Sequence, residues 1–493
     1  MASIFNRGPK ASVSSSSNKR HSRRQSESQR SAPWDYPTAV NSSTSREKPG
    51  VLPTHSRSNS NEKSKIFNGI QPDGESGRRG FHPLKFLKIC WKSASYASKV
   101  VNLLWPVVPA AIAVRYAKPD AHLTIFILNY IAMVPCANLV GFAGQELARK
   151  LPKVFGVLLE TTLGSVVEII LFMVLLTKDQ FQVIRAAILG SILATLLLCL
   201  GMCFFIGGMK RDEQTFHEAV SEVGSGLLLT AGLGLSVPVV FSNALANSEL
   251  ITKERLEHNI VALSRITSII LIVAYVIYVW FQMHTHHGLY DDLFEKDEMM
   301  DEDRHKDLRK AKLTMTECIL ALTISIALVT IIAIGLVEQI HYIVHEYHVS
   351  DAFMGLILVP IVEKAAEHLT AMDEAWDNQM NFALSHVLGA TIQTALFNAP
   401  LTIIVAWGLN KKMDLNFELF DIVMLILAIL VVGNFLRDGK SNYLEGALCV
   451  LVYMVIAAAA WYYPDPKATE NGAGAATGGA VAHRALAKGL GLS

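Results

Sequence analysis

Long apolar stretches, each about long enough to cross a bilayer, follow one another along the chain from residue 99 onward. A membrane helix needs about 20 mainly apolar residues, because the hydrocarbon core is about 30 Å thick and a helix rises about 1.5 Å per residue. The pattern predicts spans at residues 99–116, 121–143, 154–177, 183–208, 219–242, 259–282, 313–337, 352–373, 381–408, 417–436 and 444–463. The sequence therefore predicts an all-α integral membrane protein with about 11 transmembrane helices.

The span at 352–373 interrupts this apolar pattern, because it carries Glu363, Lys364, Glu367 and His368 within two turns of helix. A charge at membrane depth costs several kcal/mol unless it is paired or hydrated. Residues three apart share a helix face, so Lys364 and Glu367 belong to a polar stripe that can face the interior of a bundle. The alternative is a helix end among the lipid headgroups, since acidic residues continue beyond the span.

The two halves of the chain repeat one arrangement around a glutamate. Glu168 is followed 22 residues later by Gly190 (190 − 168), and Glu367 is followed 22 residues later by Gly389 (389 − 367). Internal repeats are typical of transporters, whose substrate site lies near the middle of the membrane where the repeats meet. The sequence therefore predicts one site shared by both glutamates.

The spans also predict how the chain is organised. We expect a disordered, basic, serine-rich cytosolic tail at 1–85, a first transmembrane helix at 99–116, a five-helix repeat at 121–282, an acidic linker loop at 283–312, a second five-helix repeat at 313–463 and a flexible tail at 464–493. Because five is an odd number, the two tandem repeats must lie inverted relative to each other. The acidic linker either attracts cations or is simply a solvated connection.

Composition and charge agree with a polytopic membrane protein. Hydrophobic residues make up 51% of the chain, which excludes an ordinary soluble domain. The net charge of +1 conceals a basic N-terminal part, with 14 Lys and Arg against 6 Asp and Glu in residues 1–80. If this part is cytosolic, the basic loops at 149–153 and 437–440 are cytosolic too, as the positive-inside rule requires. Basic residues at 115–118 and 411–412 lie on the opposite side and depart from the rule.

Other reactive residues form no recognisable site. The six cysteines lack metal-ligand spacing and are predicted to be free thiols. The chain has no His-Glu-x-x-His or Gly-x-Ser-x-Gly motif and no aspartate pair in adjacent spans, and catalysis would not explain the repeat. An intramembrane enzyme is therefore disfavoured, and neither a cofactor nor a nucleic-acid partner is predicted.

Several motifs together resemble one transporter family. They are EKAAEH at 363–368, the Leu-Gly-small span that ends in Gln393, the earlier TLGSVVEI and ILGSILATLLLCLG segments, and the acidic linker. Over about residues 95–463 the chain resembles the vacuolar cation/proton exchanger (CAX) family of the calcium/cation antiporter superfamily, in a divergent fungal form. The resemblance implies ten core helices in two inverted bundles, with cation and proton competing for Glu168 and Glu367.

The site motifs depart from the usual pattern of that family. Its repeat motif is Gly-Asn-x-x-Glu, and the aligned residues here are Gly164, Ser165 and Glu168 in one half and Glu363, Lys364 and Glu367 in the other. Both glutamates are kept, and both asparagines are replaced. Further departures are Glu160, Thr195, Asn381 and Ser385, whereas Gln393 and His368 are retained.

The chemistry of the glutamates supports exchange independently of the resemblance. Desolvation disfavours the charge of an empty carboxylate at membrane depth, whereas a bound cation favours it, so cation binding and proton release are linked. Hard cations such as Ca²⁺ prefer oxygen ligands. Glu168 and Glu367, with Gln393, Ser191 and Ser165, could provide them.

These observations predict a proton-coupled antiporter that moves cytosolic Ca²⁺ into an acidic organelle, the vacuole, in exchange for H⁺. Lys364 leaves a second reading open, since we expect it to pair with Glu160 or Glu168 and to weaken a divalent site by repulsion. A Na⁺ or K⁺/H⁺ antiporter of the same fold is therefore the alternative, and a resembling fungal branch is associated with monovalent cations. A transport-silent homologue is a third reading. Membrane lipid and a second copy of the chain are the expected partners.

Overall fold

The computed structural model describes residues 80–93, 95–246, 251–301 and 310–464. The predicted tails at 1–85 and 464–493 fall outside this part, apart from residues 80–85 and Pro464. Residues 83–85 begin a helix, so the expected disorder does not extend to the end of the first tail.

Long helices dominate the described part of the chain. The helices are α1 (Pro83–Lys92), α2 (residues 96–117), α3 (His122–Ala148), α4 (residues 153–177), α5 (Phe181–Lys210), α6 (Glu218–Leu245), α7 (Lys253–Thr285), α8 (His287–Met300), α9 (Met315–Tyr347), α10 (residues 351–376), α11 (Met380–Gly408), α12 (Leu419–Asp438) and α13 (Tyr443–Trp461), with strands β1 (Gln214–Thr215) and β2 (Lys440–Ser441). Three of these helices are irregular. Helix α2 consists of the segments Tyr96–Val101 and Val107–Ala117 around a 3-10 turn Asn102–Leu104, and α4 consists of the segments Lys153–Gly164 and Val166–Thr177. Helix α12 ends in a 3-10 turn, Leu436–Asp438. Turns of π-helix occur at Ala194–Cys199 in α5, Phe281–Thr285 in α7, Met354–Leu358 in α10 and Thr394–Asn398 in α11.

Ten helices of the described part are long and apolar enough to cross a membrane, and they coincide with ten of the predicted spans. The remaining predicted span is α10, whose charged residues keep it outside the apolar set. Its segment Val359–Trp376 nevertheless buries Glu363 and Lys364, at 2% and 1% exposure, and α10 packs against α3, α5 and α11. The headgroup alternative is therefore wrong for these residues, because the polar stripe faces the bundle.

The internal repeat is visible in the helix bounds. The last residues of α3 and α9, Ala148 and Tyr347, are 199 positions apart (347 − 148), as are the last residues of α4 and α10 (376 − 177) and the first residues of α5 and α11 (380 − 181). Five spanning helices precede α9 from α3 onward, so α9 runs antiparallel to α3, against which it packs.

Glycines let the first halves of α5 and α10 approach closely. A Cβ at Gly190 would lie 2.6 Å from the Leu356 Cα, and a Cβ at Gly355 would lie 2.7 Å from the Val183 carbonyl oxygen. Such separations exclude any larger residue, and small residues at helix contacts are typical of membrane bundles. The contact joins the two repeats about two turns before the charged residues of α10.

One face of the bundle is closed by short elements, and we call it the α8 face. It carries α1, α8 and the antiparallel pair of β1 with β2, in which Gln214 lies opposite Ser441. Near α1, the Thr314 hydroxyl donates to the Gly80 carbonyl at 2.9 Å and the Glu317 carboxylate accepts from the His82 amide at 3.1 Å.

Part of the acidic linker predicted as a loop at 283–312 is helical, because residues 287–300 form α8. Tyr290, Leu293 and Phe294 are buried, and Asp297 is fully buried at the start of α11. Asp297 accepts from the backbone amides of Asn381 and Phe382 at 2.7 and 3.0 Å, and from the Asn381 side chain at 2.7 Å. Burial raises the pKa of Asp297 above its ordinary value, and these hydrogen bonds oppose the rise. The linker thus caps a helix of the second repeat.

Candidate functional site

The centre of the bundle holds an ammonium between two carboxylates. Lys364 Nζ lies 2.9 Å from Glu168 Oε2 and 3.2 Å from Glu367 Oε2. The Lys364 and Glu168 side chains are each 1% exposed, whereas Glu367 is 18% exposed. The predicted pair of Lys364 with Glu168 is confirmed, and the two repeats meet at their equivalent glutamates. The ammonium lies where a cation shared by both carboxylates would have to bind.

Two residues that the sequence analysis missed complete the surroundings of Glu168. Thr394 Oγ1 donates to both carboxylate oxygens, at 3.0 and 2.9 Å, and Asn398 Nδ2 donates to Oε2 at 2.8 Å. Both belong to the π turn of α11, a local irregularity that is frequent at functional sites. In the sequence, only their place shortly after Gln393, on the helix already assigned to the site, could have indicated these two residues.

Glu367 is held against the other repeat by a glycine. A Cβ at Gly164 would collide with the Glu367 carboxylate, so the repeat motif of α4 needs glycine here for steric reasons. Glu363 lies one turn earlier on α10, with Ser191 of α5 beside it, and borders the cavity that is described below. The Glu363 side chain therefore faces the site.

The other predicted site residues lie near this centre but make fewer contacts. Ser165 is fully buried and its hydroxyl has no hydrogen-bond partner within the described residues. Gln393 is 1% exposed, its amide nitrogen has no partner there either, and it does not line the cavity. His368 is 6% exposed and does line it.

A cavity of about 590 Å³, including the open space at its mouth, leads from Glu367 toward the α8 face. Its polar lining consists of Glu160, Thr161, Thr195, Cys199, Glu363, Glu367, His368, Thr370 and His386. The lining residues extend from the middle of their helices toward the α8 face. Glu168 is absent from the lining, so only one of the paired glutamates is reached from this side.

Glu160 does not pair with Lys364, and that alternative is wrong. Glu160 lies two turns before Glu168, about 12 Å along the helix axis toward the α8 face. There its Oε2 lies 3.6 Å from His386 Nε2, while His386 Nδ1 lies 2.7 Å from Glu374 Oε2. His386 and Glu374 were not predicted as site residues, because nothing in the linear sequence connects them to Glu160.

Throughout the described residues, no three His, Cys, Asp or Glu side chains are grouped as ligands of a metal ion. The carboxylates of the centre instead face the ammonium of the chain itself. Cargo must therefore share the site with Lys364 or displace it.

Comparison with known proteins decides the family. Residues 121–284 and 318–462 match the family described as sodium/calcium exchanger protein. The chain belongs to this family. The similar proteins are named as transporters, so the alternative of an intramembrane enzyme is rejected.

Relatives of this family are similar over most of the chain. Vacuolar cation/proton exchanger 2 of Oryza sativa subsp. japonica is 32% identical over 389 residues, which cover 77% of this chain and 87% of that protein. The vacuolar calcium ion transporter of Schizosaccharomyces pombe is 32% identical over 371 residues, covering 75% and 86%. The crystal structure of the Ca²⁺/H⁺ antiporter protein YfkE matches with a TM-score of 0.59 and 26% identity, covering 74% of this chain and all of that one. The predicted family and the predicted helical membrane fold are confirmed.

Proposed function

We propose that this protein is a proton-coupled cation antiporter that moves Ca²⁺ from the cytosol into the vacuole in exchange for H⁺. The relatives named for vacuolar calcium transport and for cation/proton exchange support the substrates. The observation that carries the proposal is the meeting of Glu168 and Glu367, one from each repeat, at the end of a cavity that reaches one face. A site reached from one side at a time is what alternating access requires.

The residues of the centre divide the work of exchange. Glu367 borders the cavity and is the first carboxylate that a cation from the α8 face meets. Glu168 lies behind it, held by Thr394 and Asn398, and binds the same ion only once Lys364 moves. A buried carboxylate is stable when a cation or a proton neutralises it, so the two ligands replace each other.

The α8 face is assigned to the cytosol. Helix α1, which follows the basic N-terminal part of the sequence, lies on this face, and so do the loops that contain Arg149 and Lys440. In this orientation the cavity lies open to cytosolic Ca²⁺, and the N terminus is cytosolic.

Flux into proteoliposomes with an acidic interior tests the proposal. Ca²⁺ uptake should follow the pH gradient and collapse when a protonophore removes it. Glu367→Gln should abolish uptake, whereas Glu338→Gln, a surface partner of Arg115, should leave it unchanged. Normal uptake by purified Glu367→Gln would overturn the assignment, and absence of any exchange by the unaltered protein would make it a transport-silent homologue.

One observation favours the alternative of Na⁺ or K⁺ as cargo. A divalent ion beside the Lys364 ammonium meets twice the repulsion that a monovalent ion meets at the same distance. The same flux assay with Na⁺, K⁺ and Ca²⁺ in parallel separates the two readings. Uptake of Na⁺ or K⁺ without Ca²⁺ would establish the monovalent antiporter.

A further inference from the structure

A second group of titratable side chains lies at the cavity, nearer to the α8 face than the central glutamates. His386 of α11 lies between Glu160 of α4 and Glu374 of α10, at 3.6 and 2.7 Å. The three side chains are 11 to 16% exposed, and Glu160 and His386 line the cavity, while Glu374 lies behind His386. We call these three residues the vestibule cluster.

The vestibule cluster can hold a proton without the participation of the central site. The two carboxylates lie at the two ring nitrogens of His386 and favour its protonated form, so we expect the imidazole to release its proton only above neutral pH. With both carboxylates ionised, the cluster carries one negative charge when His386 is protonated and two when it is neutral. Its charge therefore changes by one unit with a single proton.

The surroundings leave this change uncompensated. Besides Glu160 and Glu374, the charged group that faces His386 is Glu367 of α10, and Asp297 of α8 faces Glu374 from the outside. Cys199 of α5 and the imidazole of His368 line the same cavity, and no lysine or arginine is among its lining residues in the described part. A cation that travels from the α8 face to Glu367 passes the cluster.

We propose that Glu160, His386 and Glu374 form a second proton-binding site, whose charge sets how strongly the cavity attracts cations from the α8 face. The inference rests on the proposed function, because it requires that cargo reaches Glu367 through this cavity. It assigns His386 to cation capture and leaves the exchange step to the central glutamates.

The test is the apparent KM for Ca²⁺ on the α8 face, measured at pH 9.0 and 7.5 on that side with the other side clamped. Proteoliposomes of one orientation, verified by the accessibility of an N-terminal tag, provide the sidedness. One unit of charge at this range corresponds to about a fivefold change in local cation concentration. In the unaltered protein KM should rise from pH 9.0 to pH 7.5. In His386→Gln, which is neutral at both values, the rise should be about fivefold smaller.

His386→Lys gives the opposite fixed state. Its KM should be about fivefold higher than that of the unaltered protein at pH 9.0, and its rise at pH 7.5 should be as small as that of His386→Gln. The matched control is His284→Gln, at the same face but outside the cavity, which should reproduce the unaltered pH response.

Two results would overturn the inference. One is an unaltered pH response of KM in both His386→Gln and His386→Lys. The other is an equal loss of that response in His284→Gln. Neither result touches the proposed function, which fails instead if the unaltered protein shows no proton-driven uptake at all. If K⁺ proves to be the cargo, the same comparison is made with K⁺.

Discussion

Glu168 and Glu367 occupy equivalent positions of the two repeats, 199 residues apart (367 − 168), yet their surroundings differ. Glu168 is 1% exposed and accepts hydrogen bonds from Thr394 and Asn398 of the opposite repeat. Glu367 is 18% exposed and borders the cavity. One carboxylate is enclosed by protein donors while the other is open to ions, as expected when a single conformation faces one side.

The two repeats also differ in the residue types at the positions that donate hydrogen bonds to Glu168. Positions 199 before Thr394 and Asn398 are Thr195 and Cys199 (394 − 195 and 398 − 199). The Thr195 hydroxyl has no partner within the described residues, and a thiol is a weak donor in place of an amide. Even with the conformation reversed, Glu367 could accept from the Thr195 hydroxyl but not from an amide such as the one that Asn398 provides to Glu168. The two end states are therefore not mirror images.

The largest expected effect comes from neutralising either glutamate. Glu168→Gln and Glu367→Gln should both abolish exchange, but Glu168→Gln should also lower the free energy of unfolding by about 3 kcal/mol, because it breaks a fully buried ion pair. Glu367→Gln should cost only about 1 kcal/mol, since its side chain is partly open to the cavity. Uptake assays and thermal unfolding in detergent measure both quantities. Equal destabilisation by the two variants would contradict the comparison.

Removing the shared ammonium should change ion preference. Lys364→Asn restores the family residue and removes the repulsion, so the affinity for Ca²⁺ relative to Na⁺ or K⁺ should rise by about tenfold or more. Adding Glu160→Asn should not recover stability, because Glu160 pairs with His386 and not with Lys364. Competition of each ion with Ca²⁺ uptake gives the ratio. Lys178→Asn, at an exposed ion pair, is the control, and an unchanged ratio in Lys364→Asn would place the lysine outside the site.

A smaller effect should follow when Asn398, which donates to Glu168, is replaced by the residue type found at the equivalent position of the first repeat. Asn398→Cys replaces the amide by the thiol found at position 199, so the hydrogen bond at 2.8 Å is lost or weakened. We expect a loss of about 1–2 kcal/mol in stability and slower exchange, by about tenfold. Initial rates of uptake check this, with Asn434→Cys on the exposed side of α12 as control. A rate equal to that of the control would mean that Asn398 does not distinguish the two halves.

The smallest effect is expected from deleting residues 1–79. None of the predicted spans lies in residues 1–79, and the deletion keeps Gly80 and His82, which bind the start of α9. Exchange should stay within about twofold of the full chain, because the helical bundle contains every group of the centre. A correctly inserted but inactive variant would show that the difference between the glutamates depends on the N-terminal part.

The sequence predicted those features that repeat along the chain. Spacing alone related Glu168 to Glu367, and the cost of a charge at membrane depth placed Lys364 beside a carboxylate. Thr394, Asn398 and His386 were not predictable in this way, because they lie on a helix of the second repeat and contact glutamates of the first repeat that are far away in the sequence. In spans that are apolar on every side, periodicity does not say which faces meet.

Two of the expectations that the structure does not bear out have physical causes. Glu160 was one of two alternative partners of Lys364, but the rise of the helix carries it two turns away from Glu168. The acidic linker was predicted as a loop, yet Tyr290, Leu293 and Phe294 provide an apolar face for helix α8, and Asp297 accepts from the free amides at the start of α11.

The bridging ammonium bears on how the protein responds to voltage. Glu168, Glu367 and Lys364, the three groups in contact at the centre, carry one net negative charge together when the neighbouring Glu363 is protonated. A single proton or a single monovalent ion then brings them to neutrality, whereas Ca²⁺ would leave them positive. Exchange of one monovalent cation for one proton would move no net charge through the membrane, so the membrane potential would not contribute to its driving force.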